Sequence, residues 1–466
     1  MTYSKSLITY TLIISVLTNF VGAFLVNSVN IAIPAISQDF HVTQLQLNWI
    51  VTIYLLSSAA LALPFGRLAD IMGRKRLFLM GIGLFALSSL GCSLTSSFNV
   101  FLFFRLVQGV ANAMVAGSAM AILTTVVPPQ HRGRALGISS AAVYIGLSLG
   151  PVLGGLIVKM VNWRGIFLFG FIIQMVVLLL IFFKLQGEWR VAEGETYDYL
   201  GGSLWVAGLA LVLLALSNLT LGPVYVLVLL AGIILLGFFI RCELKAEFPI
   251  FALKVFGRNK PFIFSNLATV INYMATFAIS YLLSLYLQLV LGLDSSTSGL
   301  ILLSQPILMA LLSPLAGRLS DKIQPQILSS LGMAIITLGL IMVIFYSPSM
   351  PIPLIVANLV FIGIGFGLFS SPNTNAIMSS VEKRYYSIAS STLGTMRLLG
   401  QTLSIATVSL ITSAFIGNTG LYSSEYPLLF MTSFRICFII FAALSFLGVF
   451  ASLARGKKEA PEALSK

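Results

Sequence analysis

The chain has 466 residues, 58% of them hydrophobic and only 9% charged, with a mean hydropathy of +1.00, whereas a soluble domain carries about 25% charged residues. Its 27 Lys and Arg and 14 Asp and Glu cannot clothe a folded chain of this length in a polar skin. A soluble multidomain enzyme is thereby excluded, lipid is the solvent for most of the surface, and the net charge of +13 is expected in loops at a membrane surface rather than on nucleic acid.

Apolar runs broken by charge clusters and Gly, Pro or Asn turns predict fourteen membrane-crossing helices, each needing about 20 apolar residues. The first seven cover 7–34, 46–66, 77–97, 99–126, 135–158, 164–185 and 200–219. The second seven cover 223–242, 262–290, 298–317, 327–347, 352–375, 386–416 and 430–453. The first run, from Ser6 to about Ile36, is too long for a signal-peptide core and reads as a retained span. Cys92, Cys242 and Cys437 lie far apart with no paired spacing or neighbouring His, which argues against disulfides and structural zinc.

An even number of spans puts both termini on one side, here expected to be the cytoplasm. Of the 27 basic residues, 22 then fall inside, two outside (Lys159 and Arg164) and three within spans (Arg105, Arg397 and Arg435). Such a bias fixes the orientation by the positive-inside rule. The two longest inner segments, Gln186 to Tyr199 and Arg241 to Pro261, bracket spans seven and eight. The expected parse is therefore a six-span bundle over 1–199, an inserted two-helix hairpin over 200–243, a cytoplasmic linker over 244–261 and a second six-span bundle with a short tail over 262–466. Within the linker, apolar residues alternate with Lys254, Arg258 and Lys260, which suits either an amphipathic stretch on the membrane surface or an ordinary basic loop. A repeat supports the two-bundle parse: Gly66-Arg67-Leu68-Ala69-Asp70 closes the second span, and Gly317-Arg318-Leu319-Ser320-Asp321 closes its counterpart in the later half. The fold class is an all-α membrane protein with two pseudo-symmetric six-helix bundles and an inserted pair.

The stretch Gly66 to Leu77, with Asp70, Gly73 and Arg74 at its centre, resembles the signature loop between spans two and three of the major facilitator superfamily. Its glycines permit a tight turn and close helix approach, and one carboxylate among four cations suits a lock on a neighbouring helix end. The resemblance implies an inner-gate latch made of Gly66, Asp70, Gly73 and Arg74, with Asp321 in the second copy, that favours the outward-facing state. Arg105-Leu106-Val107-Gln108-Gly109 resembles the Arg-x-x-Gln-Gly motif of span four. Gly146, Gly150, Pro151, Gly154 and Gly155 resemble the span-five signature of the family's antiporters, while small residues at this spacing also serve plain helix packing. Asn162 to Phe167 and Phe248-Pro249-Ile250 are similar to the start of span six and to the fourteen-span drug and proton antiporter branch.

One departure bears on chemistry. That branch reads Leu-Asp-x-Thr-Ile-Val-Asn in span one, where this chain has Phe24-Leu25-Val26-Asn27-Ser28-Val29-Asn30, so Leu25 replaces the embedded acid. All 14 acidic residues fall outside the predicted spans, which leaves no intramembrane carboxylate to carry protons or to neutralise a cationic compound. The spans offer amides and cations instead. Arg105, Gln108 and Asn112 fall within about 60 degrees of one another on a helix. Ser390, Gly394, Arg397, Gln401 and Ser404 share a face of span thirteen. The expected substrate cavity therefore comprises Asn27, Asn30, Arg105, Gln108, Asn112, Asn272, Tyr273, Gln305, Asn375, Arg397 and Gln401. Arg435, near the outer start of span fourteen, is expected to snorkel.

These features point to a secondary transporter, working by rocking two halves about a central cavity, that exports small hydrophobic or amphipathic compounds, neutral or anionic rather than cationic. A lipid or anionic-metabolite carrier without proton coupling and a transport-inactive scaffold or sensor are the alternatives. No nucleophile, acid–base pair or metal cluster in the spans suggests an enzyme. The expected partners are a small-molecule or lipid-like substrate and membrane lipids, with no nucleic acid and no cofactor, in a monomer of the plasma membrane.

Overall fold

The computed structural model describes residues 4–128, 132–190, 192, 194–219, 222–251, 259–320, 323–381, 386–417 and 426–455. Fourteen of its helices are long and apolar enough to cross a membrane. In chain order they are α1 (Lys5–Phe40), α2 (Gln44–Met72), α3 (Arg74–Leu94), α4 (Phe98–Val126), α5 (Arg132–Met160), α6 (Arg164–Lys184) and α7 (Tyr199–Asn218). There follow α8 (Val224–Glu243), α9 (Lys260–Val290), α10 (Ser295–Leu319), α11 (Pro325–Ile344), α12 (Ile352–Ser379), α13 (Tyr386–Phe415) and α14 (Tyr426–Leu453). Every expected span is present, with ends displaced by a few residues. Residues 252–258 of the linker and Asp321 of the second latch copy lie outside the described residues.

Side chains set several of the helix starts. Ser4 accepts the Leu7 N–H, Asp198 that of Gly201, Asn259 that of Phe262 and Asp294 that of Thr297, each satisfying a donor that the first helical turn leaves free. Two helices are interrupted. α9 breaks at Phe277–Ala278, where the Ala278 N–H donates to Ser404 Oγ at 3.1 Å, and ends in a π-turn over Tyr286–Val290. α10 breaks at Leu303, between helical pieces Ser295–Leu302 and Ser304–Leu319. Breaks of this kind are tolerated in lipid only where neighbouring helices satisfy the freed backbone.

Helix pairing repeats across the chain. In the first half α1 packs on α5, α2 on α4, and α3 on both α4 and α6; in the second, α9 packs on α13, α10 on α12, and α11 on both α12 and α14. The same four pairings, eight helices apart, give two six-helix bundles related by pseudo-symmetry. α7 packs against both α2 and α13, and α8 chiefly against α7. Ala59, Ala60, Leu209, Leu213 and Leu399 form one small apolar cluster where α7 meets the two halves. With fourteen antiparallel crossings, the start of α1 and the end of α14 lie on one face of the bundle, the termini face; the opposite one is the distal face.

Candidate transport cavity and gates

The halves are fastened at the distal face. Asn48 of α2 donates its amide to Thr412 Oγ1 of α13 at 2.8 Å and accepts the Tyr281 hydroxyl of α9 at 2.6 Å. Beside this clasp, Ser284 Oγ donates to the Asn30 carbonyl at 3.0 Å and Gln288 to the Ile31 carbonyl at 3.3 Å. At the rim, Lys159 pairs with Asp294 at 3.0 Å. A single hydrophobic cluster runs through both halves here, from Val29 and Ile33 to Ile279 and Leu282.

The small residues of α5 make this closure possible. A Cβ on Gly146 would stand 2.5 Å from the Phe20 carbonyl oxygen, and one on Gly154 would stand 2.8 Å from Ser28 Cβ, so this edge of α5 lies against α1. The next edge faces the other half: a Cβ on Gly155 would stand 2.5 Å from the Ser295 carbonyl oxygen, and Gly299 of α10 abuts the Pro151 carbonyl. Ser28 and Ser295 donate to the Gly150 and Gly155 carbonyls at 2.8 and 3.3 Å. Gly146, Gly150 and Gly154 thus serve backbone-to-backbone packing within a half, and Pro151 and Gly155 serve contact between halves.

Between the halves, nearer the middle, Arg397 of α13 donates to Thr374 Oγ1 of α12 at 3.2 Å, with its guanidinium 5.8 Å from the Tyr273 ring centroid. Tyr273 meets Phe366 edge-on at 5.6 Å. Tyr144 reaches across from α5, its hydroxyl 3.4 Å from Ser370 Oγ and 3.5 Å from Ser313 Oγ. Arg397 is half-buried, and its Nε is buried with no hydrogen-bond partner among the described residues. One turn earlier, a Cβ on Gly394 would meet nothing within 4 Å, so this face of α13 looks onto open space. Gln401, one turn later, is also half-buried. Ser404 is not: it is fully buried against Ala278, so the expected polar stripe turns into the α9–α13 contact. The side chain of Ser390 lies outside the described residues.

Most of the other expected lining residues stand elsewhere. Arg105 is only 3% exposed and Gln108 is fully buried. Arg105 donates to the Ile50 carbonyl at 3.1 Å and to Gln108 Oε1, lies 4.5 Å from the Tyr54 ring centroid, and Gln108 passes the chain on to Ser89 at 2.7 Å. This network ties α2, α3 and α4 together inside the first half. Asn112 makes a separate α4–α2 bond by donating to Ser58 at 2.7 Å. Arg105, Gln108 and Asn112 bond to α2 and α3, which cover this face of α4. Asn27 donates to the Leu147 carbonyl of α5 at 3.0 Å, and Asn375 to Ser320, which caps the end of α10, at 2.9 Å, both within their own halves. Asn30 belongs to the distal closure through its backbone, Asn272 is fully buried within the second half, and Gln305 is buried where α10 meets Gly363. Arg435 is exposed on the outside of α14. Leu25 is buried against Gly170 of α6. Of the three span cations, Arg397 alone stands at the open face, and among the described residues every Asp and Glu lies at a helix end or in a loop.

At the termini face the α2–α3 loop is bound within its own half. Arg74 pairs with Asp70 at 2.7 Å and donates to Thr125 Oγ1 of α4 at 3.2 Å. Gly73, at φ 115°, is a conformation that side chains rarely adopt, and it lets the Glu188 carboxylate sit on the turn and accept the Lys75 and Arg76 N–H groups at 2.9 and 3.1 Å. Arg67 pairs with Glu195, and the Ala192 N–H donates to the Asp70 carbonyl at 3.1 Å. A Cβ on Gly66 would meet nothing within 4 Å. The sequence signalled Asp70 as the anion among these cations. Glu188 and Glu195, from a loop more than a hundred residues away, carried no such signal. Tyr144, Ser370, Thr374, Ser313, Asn48 and Tyr281 were equally silent, since single hydroxyls and amides in apolar helices are commonplace; only the position of Tyr144, two residues before Gly146, set it near a motif.

The family model described as the Major Facilitator Superfamily matches residues 15–405 and 265–466. The chain is 30% identical over 397 residues to the riboflavin transporter RibZ of Clostridioides difficile (strain 630), covering 85% of this chain and 86% of that one. It is 29% identical over 396 residues to the multidrug resistance protein Stp of Mycobacterium tuberculosis (strain CDC 1551 / Oshkosh), covering 84% and 73%, and 30% identical over 417 residues to the drug efflux pump JefA of the same organism, covering 87% and 81%. In fold it is similar to a bacterial homolog of the human lysosomal transporter Spinster, solved inward-facing and unoccupied, with a TM-score of 0.68 at 18% identity over 98% of this chain and 100% of that one.

Proposed function

This chain belongs to the Major Facilitator Superfamily, and from that premise we propose that it exports small amphipathic compounds, neutral or anionic, across the plasma membrane by alternating access. The observation that carries the substrate reading is Arg397, half-buried beside Tyr273 on the open face of α13, in a set of described spans that holds no mid-span carboxylate. In a site of low dielectric, a fixed guanidinium with no neighbouring anion attracts carboxylates and oxo groups and repels organic cations. Tyr273 and Phe366 supply apolar and aromatic surface for the rest of the molecule.

Orientation follows from charge. With the 22 basic residues of the termini face in the cytoplasm, the clasp at Asn48, Tyr281 and Thr412 becomes the outer gate, closed in this structure, and the cavity opens inward. The relatives named as drug efflux pumps and as a riboflavin transporter support a small organic substrate, and the resemblance of Gly146 to Gly155 to the antiporter signature supports export. The absence of a mid-span acid among the described residues favours a second reading, a carrier of anionic metabolites that runs without proton coupling.

Flux in proteoliposomes separates these readings. Proton-driven export predicts uptake of an anionic amphiphile into inside-out vesicles that collapses when the pH gradient is dissipated. The uncoupled carrier predicts uptake that follows the substrate gradient alone. No flux of any neutral or anionic compound, in a protein that retains its fold, would leave a scaffold or sensor as the remaining account.

A further inference from the structure

The inserted hairpin leaves an open cleft of about 620 Å³ at its termini-face root, between the last turn of α8 and the turn that opens α7. α8 packs chiefly on α7, and Leu230, Ile234 and Phe238 along one side of it are each about half exposed, at 51%, 57% and 54%. The cleft therefore sits where a lipid-facing helix ends, at the depth of the headgroups.

Its walls carry charge of both signs. Arg241, in the last turn of α8, and Lys245, in the turn that follows it, line the cleft with Asp198 and Glu247. Among the described residues none of these four pairs with another; the four ion pairs of the described chain lie elsewhere. Asp198 already accepts the Gly201 N–H, and Glu247 is exposed. The wall is held from beneath by Glu243, 2% exposed, whose carboxylate accepts the Ile250 and Phe251 N–H groups at 3.2 and 3.0 Å. Tyr197 lines the same cleft and offers its hydroxyl there as a donor.

Two cations and two carboxylates that face one opening without neutralising each other suit a ligand that brings both charges itself. The geometry points to a seat for a phospholipid whose headgroup joins a phosphate to a primary ammonium: the phosphate toward Arg241 and Lys245, the ammonium toward Glu247 and Asp198, the acyl chains along the exposed face of α8. A purely anionic headgroup would bring its charge against Glu247 and Asp198 as well. A quaternary ammonium could not donate hydrogen bonds to the carboxylates. Because α7 touches both α2 and α13, a lipid held at its root is placed to bias how the halves sit. This seat does not depend on what the central cavity carries.

The test uses the full-length protein in detergent, titrated with phosphatidylethanolamine, phosphatidylcholine or phosphatidylglycerol of identical chains and followed by native mass spectrometry and thermal unfolding. Phosphatidylethanolamine is expected to give the most abundant one-lipid adduct and the largest rise in Tm, and Arg241→Gln with Glu247→Gln is expected to cut that preference about five-fold or more. If the double variant fails to fold, Lys245→Gln alone must narrow the preference by several-fold. Equal binding of the three lipids, a preference for phosphatidylglycerol, or a preference for phosphatidylethanolamine that survives these substitutions would each overturn the assignment.

Discussion

The Tyr281 hydroxyl donates to Asn48 Oδ1 at 2.6 Å across the boundary between the two halves. Both side chains are buried, and the Asn48 amide passes the bond on to Thr412. A buried polar group that loses its partner costs about 1–3 kcal/mol. The closed distal face therefore depends on these bonds more than on the exposed pair Lys159–Asp294 at its rim.

Tyr281→Phe and Asn48→Ala are expected to move the population toward a distal-open state, by about five-fold for the first and more for the second. Double electron–electron resonance between labels at the distal ends of α2 and α13 reads this as growth of a longer distance. An unchanged distribution in both variants would mean that apolar packing alone keeps the gate shut.

Two neighbouring glycines should behave differently. Gly154→Val places atoms against Ser28 of α1 inside one half and is expected to lower Tm, because overpacking costs about 1–3 kcal/mol. Gly155→Val places them against Ser295 of the other half, so the fold should persist while the distal face is held open. Loss of folding in Gly155→Val with a tolerated Gly154→Val would reverse these roles.

The three span arginines have distinct expected phenotypes. Arg105→Ala removes the centre of the Ile50, Gln108 and Ser89 network and should destabilise the protein by about 1–3 kcal/mol. Arg397→Ala should leave Tm nearly unchanged and abolish binding of anionic compounds. Arg435→Ala should alter neither. Thermal unfolding and ligand binding, measured together on each variant, separate stability from recognition.

The distal rim should be indifferent to physiological pH. Hydrogen bonds from Thr297, first its side chain and then its backbone N–H, with Lys159 adding to them, hold the Asp294 carboxyl down to about 2. A depressed carboxyl stabilises above its unfolded value near 3.9 and loses that contribution as pH falls through about 4 to 2. Between pH 5 and 8 the rim distances measured by electron resonance should not move. A shift within that window would require a titrating group other than this pair.

How much of this was legible in the sequence varies with range. Helix limits were, because twenty-residue apolar runs and charge clusters are local signals, and the two copies of Gly-Arg-Leu-x-Asp exposed the internal repeat. Which way a polar side chain points was not. Arg105 and Arg397 look alike in sequence, each in an apolar helix near other polar residues, yet α2 and α3 cover the first while Gly394 leaves space beside the second. Long-range partners were the hardest. Nothing near Gly73 announces Glu188, and nothing near Asn48 announces Tyr281, because those contacts exist only after the helices assemble.

On the proposed function, one guanidinium, unopposed by any mid-span carboxylate among the described residues, sets the charge preference of the cavity. It is tested most directly by equilibrium binding of two dyes with the same aromatic ring system, one anionic and one cationic, to the native protein and to Arg397→Gln. The native protein is expected to bind the anion about tenfold or more tightly, equivalent to about 1.4 kcal/mol, and Arg397→Gln to erase the difference without lowering Tm. Equal or tighter binding of the cationic dye by the native protein, or a preference for the anion that survives Arg397→Gln, would contradict it.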